Sequence, residues 1–145
     1  MRYLNKIVFI NSAAIRYSEV QLDGNIHLIG TQGVGKSTIL RAILFFYNAD
    51  TQRLGIPVEK KSYQDYYFPY ADSSIIYEVA REDGWFTVLS YKTMNRICYR
   101  FIASPYRPDL FIDEEGAPYP SDRIRSVLDK NGIKYSGCLL YTSPS

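Results

Sequence analysis

The sequence has no apolar run approaching the roughly 18–20 residues needed to cross a bilayer as a helix, so no membrane partner is expected. No secretory leader is expected at its start either, because Lys6 interrupts the first apolar run and Asn11 ends it. Cysteine is scarce: Cys98 and Cys138 are the only two, and they stand at no metal-ligand spacing. That argues against a disulfide framework and suits a reducing, cytoplasmic setting. Histidine is scarcer still, with His27 alone. Its place in an apolar-patterned strand reads as a packed or surface residue rather than a catalytic base. Formal net charge is only +2, too little to indicate nucleic acid or an anionic membrane by itself. Internal repeats and low-complexity tracts are also missing.

What remains is the composition of an ordinary globular domain. The chain has 145 residues, 46% hydrophobic and 22% charged, enough for about one domain that buries roughly 68–70% of its unfolded surface. Aromatic residues are plentiful, with 14 Tyr and 7 Phe, and many of the tyrosines crowd between Tyr63 and Tyr70.

Leu4 to Ile10 is rich in branched apolar residues and predicts a strand. Glu19 to Leu22 alternates and predicts a half-exposed strand. Asp23-Gly24 marks a turn, and Asn25 to Ile29 predicts a third strand running directly into Gly30. Lys36 to Tyr47 predicts a helix, apolar nearly all round and so buried against a sheet. Asn48 to Lys61 is a polar, basic connection. Ser74 to Ala80, Trp85 to Lys92 and Ile97 to Ala103 predict three further strands, the first two joined by a hairpin turn at Asp83-Gly84. Ser104 to Asp109 reads as a loop, and Leu110 to Ile112 and Ala117 to Tyr119 flank a Glu115-Gly116 turn. Ser121 to Lys130 predicts a short helix capped by Ser121, with Ile124, Val127 and Leu128 on one face and Gly132 past its end.

One motif carries chemistry. Gly30-Thr31-Gln32-Gly33-Val34-Gly35-Lys36-Ser37 fits the pattern G-x-x-x-x-G-K-[ST]. Such a loop binds ATP or GTP with Mg²⁺. Gly30, Gly33, Val34 and Gly35 supply a backbone cradle whose N–H groups turn inward, the glycines avoiding Cβ clashes. The helix that follows adds its positive N-terminal end. Lys36 is placed to reach the β- and γ-phosphates and is the candidate catalytic residue. The Ser37 hydroxyl is placed to ligate Mg²⁺, and Thr38 to hydrogen-bond the α-phosphate. Chance would produce the pattern in roughly one random chain of this length in two hundred, and the strand before it and helix after it lower that further.

Position adds to the motif. In simple nucleotide kinases and GTPases this loop follows the first strand, whereas here 29 residues precede it, with room for two extra strands. That is the arrangement of ATP-binding-cassette ATPases. The stretch from Ile10 to Thr38 (INSAAIRYSEVQLDGNIHLIGTQGVGKST) resembles the N-terminal head segment of ATPases like the structural-maintenance-of-chromosomes proteins. RecF- and RecN-type repair ATPases and bacterial condensins of the plasmid-defence (Wadjet) type share the layout. The likeness is specific over about a third of the chain and weak beyond Tyr47.

The resemblance implies an α/β P-loop fold. This would be the N-terminal lobe of an ABC-type head, with a mixed sheet, an antiparallel β-layer and a buried P-loop helix. It implies ATP and Mg²⁺ as ligands, heads that dimerise around two ATP molecules, a coiled coil, accessory subunits and DNA as the object acted on. It also implies that Arg16 reaches phosphate oxygens as a charged fork and that Tyr17 packs on adenine. The sequence departs from the full pattern, with no signature motif, no convincing Walker B, no switch histidine and no heptads. It therefore reads as half an ATPase site, and hydrolysis by this stretch alone is expected to be undetectable.

The last eight residues, Cys-Leu-Leu-Tyr-Thr-Ser-Pro-Ser, resemble one frame of a translated sequencing-library adapter. On that reading residues 1–137 are a partial head domain, 138–145 are non-native, and Cys138 takes no part in any chemistry.

Other features have plainer readings. Leu110 to Glu114 mimics a Walker B strand, but Asp109 shortens its apolar run and an exposed acidic turn accounts for it better. Gln64 lacks the strand-to-loop surroundings of a Mg²⁺-sensing glutamine. The Tyr63–Tyr70 cluster reads as a loop packed over a β-layer rather than a base-stacking platform. Arg41, Arg53, Lys60 and Lys61 read as a solvated basic face rather than a phosphate-tracking patch, and Cys98 as structural. Two competing functions stand beside the ATPase head: a small P-loop kinase, which the long segment before the loop disfavours, and a non-catalytic module switched by nucleotide that bridges DNA or partners.

Overall fold

The computed structural model describes residues 3–22, 36–48, 60–94 and 96–140. In chain order the elements are β1 (Tyr3–Ser12), β2 (Ile15–Gln21), α1 (Lys36–Asn48), α2 (Lys60–Tyr67), β3 (Ser74–Arg81), β4 (Gly84–Thr93) and β5 (Arg96–Ile102). A 3-10 turn (Pro108–Leu110), α3 (Ser121–Lys130) and the short β6 (Leu139–Leu140) complete them. The strands form one sheet in the order β2-β1-β3-β4-β5-β6, and each described pair is antiparallel. The architecture is mixed α and β, and the expected antiparallel layer is present. The expected strand Asn25 to Ile29, on which a mixed sheet would depend, lies outside the described residues.

β3 explains why the sheet is covered on both sides. Its sequence SIIYEVA is buried at every position from Ser74 to Ala80, as a continuous apolar run predicts for a strand with no solvated face. Alternation sends Ile75, Tyr77 and Val79 into one core, with Ile7, Phe9, Val20 and Val88 beneath Ile39, Ala42 and Ile43 of α1 and Tyr67 and Phe68. Ile76 goes to the other, with Val8, Ile10, Leu89 and Ile102 beneath Tyr106, Leu110, Phe111 and, from α3, Ile124 and Leu128. As expected α1 is buried against the sheet, through Ile39, Ala42 and Ile43, while Leu40 and Arg41 are exposed. Its buried positions recur at the three- and four-residue spacing of a single helical stripe.

The aromatic run is a helix rather than a loop as far as Tyr67. Tyr63, Tyr66, Tyr67 and Tyr70 are spaced as one face of an α-helix, a period that outweighs the run's loop-like composition.

The turns follow their residues, with adjustments. The β3–β4 turn falls on Glu82-Asp83, one residue earlier than predicted. Gly84 pairs with Arg81 and carries φ of +136°, a conformation that favours glycine. The Pro120 carbonyl accepts the Ile124 N–H at 3.0 Å, which makes Pro120, not Ser121, the residue flanking α3; no side-chain cap forms. α3 ends as predicted near Gly132, at φ +66°. There Gly132 N–H donates to Asp129 and Ile133 N–H to Leu128, the paired bonds of a Schellman ending. The segments expected to flank the Glu115-Gly116 turn meet in one bridge, Ile112 with Pro118, and Pro108 opens a 3-10 turn that takes up Leu110.

The cysteines, expected unpaired, are joined as a disulfide with Cα atoms 5.5 Å apart. The short pairing of Cys98 with Leu140 and Tyr99 with Leu139 brings the segment after Gly137 back onto β5, which puts Cys138 beside Cys98.

Candidate functional site at the start of helix α1

The described part of the P-loop motif is its last two residues. α1 opens at Lys36. Gly30, Gly33, Val34 and Gly35 lie outside the described residues, as do the Lys36 side chain, His27 and Arg53. Ser37 is exposed on the first turn and Thr38 is half-buried. An exposed hydroxyl at this place suits Mg²⁺, a hard cation that takes oxygen donors alongside phosphate oxygens and water.

Three tyrosines fix this end of the helix. Tyr67 Oη donates to the Thr38 carbonyl at 2.7 Å. One turn further on, Tyr77 Oη donates to the Ala42 carbonyl at 3.1 Å, with its ring against Phe46, centroids 4.6 Å apart. Residues four apart lie on one side of a helix, so both hydroxyls grip the buried flank. Burial, the leading cause, pushes the Tyr67 phenol well above its usual value; Tyr66 adds to the shift and Arg41 opposes it. The third tyrosine, Tyr66, shares a hydrogen bond with Thr38 Oγ1 at 3.0 Å, and its ring meets that of Tyr67 edge-on at 4.9 Å.

The β1–β2 turn reaches the same place. Ala13 and Ala14, its two central residues, both have positive φ, at +50° and +62°, and Asn11 is at +46°. Two successive positive φ values are the mark of a type I′ hairpin, where Asn-Gly is the usual pair, so the alanines hold a conformation that costs them energy. Contacts over-determine the turn: Ala13 N–H donates to the Tyr66 carbonyl at 3.1 Å, and Ser73 Oγ donates to the Asn11 carbonyl. The hairpin turn, the end of α2 and the first turn of α1 therefore meet at Tyr66.

Arg16 is exposed on β2. Tyr17 does not lie toward the α1 side. It pairs with Ile10, and its hydroxyl is bonded at 2.8 Å both to Tyr106 Oη and to Glu19 Oε2. Those partners belong to the opposite face of the sheet from α1. Because Tyr17 donates to the Glu19 carboxylate, Tyr106 donates to Tyr17. Burial first, with Glu19 in support and the Tyr106 bond opposing, raises the Tyr17 phenol to about 12.

The Walker B mimic is a turn. Asp113 Oδ1 accepts the N–H groups of Glu115 and Ala117, each at 2.9 Å, so this carboxylate is used in closing its own loop. Gln64 lies within α2, and its carbonyl accepts the Phe68 N–H at 2.8 Å. Reading the sequence missed Tyr66 and Tyr67 as neighbours of the motif. The helical spacing of the tyrosines was the available signal; the contact with Thr38 spans 28 residues and leaves no local trace.

The fold and site together define a mixed α and β chain in which a glycine-rich motif runs into a helix packed on an antiparallel sheet. A family model described as a protein of unknown function, DUF3584, matches residues 11–143, and the chain belongs to that family. No curated protein and no solved structure matches it. Among the described residues no helix is long and apolar enough to cross a membrane.

Proposed function

We propose that this chain contributes the phosphate-binding half of an ATP site in an SMC-like, ABC-type ATPase head that acts on DNA in a dimer of heads. Lys36 would hold the β- and γ-phosphates, Ser37 the Mg²⁺ and Thr38 the α-phosphate, within the amides of Gly30 to Gly35, and Arg16 would offer a guanidinium from β2. The single observation that carries the reading is where α1 begins. The helix opens at Lys36, directly after the glycine run, and its buried stripe of Ile39, Ala42 and Ile43 seats it on the sheet. That supports an anion site at its exposed N-terminal end, where amides lack intrahelical partners. Mg²⁺, when bound, supplies charge neutralisation to the phosphates; the chain's own part is to hold and orient them.

The test is Mg-ATP binding by titration calorimetry with wild type and Lys36→Ala. Loss of an ammonium-to-phosphate contact should weaken binding by about tenfold or more, since hydrogen bonds to charged groups are worth about 1.5–3 kcal/mol. Unchanged affinity would mean that the motif does not bind the nucleotide.

A further inference from the structure

We infer that Tyr66 is a positioning residue for this site, orienting the Thr38 hydroxyl toward phosphate and passing occupancy on to the β1–β2 turn; the inference rests on the ATP reading above. A threonine hydroxyl has one proton to give and lone pairs to receive. In a helix its proton commonly turns back to a carbonyl of the preceding turn. Here Thr38 Oγ1 faces the Tyr66 hydroxyl at 3.0 Å, and either oxygen can be the donor. A phosphate oxygen only accepts. A bound nucleotide therefore selects one of the two arrangements: Tyr66 donates to Thr38, and Thr38 donates to phosphate. Two hydrogen bonds running in one direction polarise and strengthen each other.

Tyr66 suits this role by its surroundings. Its ring is held edge-on by Tyr67, and Tyr67 is itself bonded to the Thr38 carbonyl, so ring and hydroxyl are both set relative to α1. Its own carbonyl accepts the N–H of Ala13, the first of the two alanines at positive φ. A change in the Thr38 bond at one end of Tyr66 is thus one residue away from a hairpin turn that persists only because its neighbours hold it. Among the described residues its hydroxyl meets Thr38 Oγ1, while the residue as a whole is 47% exposed.

The experiment is a double-mutant cycle on Mg-ATP affinity with Tyr66→Phe, Thr38→Val and the pair, with Lys36→Ala run alongside. Phe keeps the ring and its contact with Tyr67 and deletes only the hydroxyl. Tyr66→Phe should weaken binding by about 3- to 10-fold, the span of one neutral hydrogen bond, and should have no further effect once Thr38 is Val. Hydrogen exchange provides the readout that a merely structural role would not move: Mg-ATP should slow exchange of the Ala13 amide in wild type and leave it unchanged in Tyr66→Phe. Wild-type affinity in Tyr66→Phe overturns the inference, as does an equal loss in both Thr38 backgrounds. If Lys36→Ala binds normally, the ATP reading falls and this inference with it; if Lys36→Ala loses binding while Tyr66→Phe does not, this inference alone falls.

Discussion

The two faces of the sheet bury polar groups of different kinds. On the α1 face they are neutral phenols, Tyr67 and Tyr77, each donating to a helix carbonyl. On the α3 face, beside the neutral hydroxyls of Tyr106 and Thr87, two charged side chains are buried as well. Glu78, 6% exposed, accepts Asn5 Nδ2 and the Tyr106 N–H, both at 2.7 Å. Arg100, 5% exposed, donates to the Ser136 carbonyl at 2.8 Å and lies over the Tyr135 ring at 5.6 Å. The difference follows from what each side chain has to hold. α1 satisfies most of its own backbone groups, so a phenol need only steady it. Residues 104–111 and 133–137 have little ladder of their own, and their buried N–H and C=O groups need partners from side chains. A charged group makes the stronger bond there. One face thus positions a helix, and the other pins irregular chain.

The comparison is most easily broken at Glu78. Glu78→Gln puts an amide donor against either the Asn5 amide or the Tyr106 N–H and removes a charged acceptor. Its expected cost is about 1.5–3 kcal/mol in urea unfolding, from the worth of hydrogen bonds to charged groups. Tyr67→Phe and Tyr77→Phe remove neutral bonds and keep the rings, so each should cost only about 0.5–1.5 kcal/mol in the same assay. If the phenols prove as costly as the carboxylate, the division between the faces has no energetic content.

How far this division was legible in the sequence depends on the range of each interaction. β1 and β3 to β5 announce themselves by their apolar, often branched residues, and α1 by Ile39, Leu40, Ile43, Leu44, Phe46 and Tyr47 at helical spacing. The sequence marks β2 only from Glu19, because Arg16-Tyr17-Ser18 holds no aliphatic residue; β1 pairs with Tyr17 and Ser18 all the same. The tyrosines of α2 had the right period, but their polar, basic approach from Asn48 to Lys61 suggested loop. Thr38 was legible as the end of a motif. That Tyr66 would meet it, or that Tyr17 would turn to the Tyr106 side, depends on how the sheet folds over, and no spacing within the sequence carries that. The same holds for Glu78, which reads simply as a polar break in an apolar strand until Asn5 and Tyr106 arrive from elsewhere.

The smallest effect expected is a shift in when one phenol ionises, and it sharpens the comparison from the α3 side. Tyr17 is held between Tyr106 and Glu19, with Lys6 Nζ 3.3 Å from Glu19 and 5.6 Å from the centre of the Tyr106 ring. Its phenol is raised from 10.0 to about 12, by burial first, and burial raises Tyr106 in the same direction. A native state that holds a proton more tightly than the unfolded chain gains from it only while the proton is present in both. The contribution of Tyr17 is therefore complete below about pH 10 and is lost as the pH rises through about 12. Absorbance titration at alkaline pH should place Tyr17 in a group that ionises later than the ordinary phenol value of about 10. Tyr17→Phe should remove one phenol from this later group. Should the missing phenol instead be one that ionises at the ordinary value, Tyr17 is free in solution, and the cluster of Lys6, Tyr17, Glu19 and Tyr106 does not hold the outer end of this face.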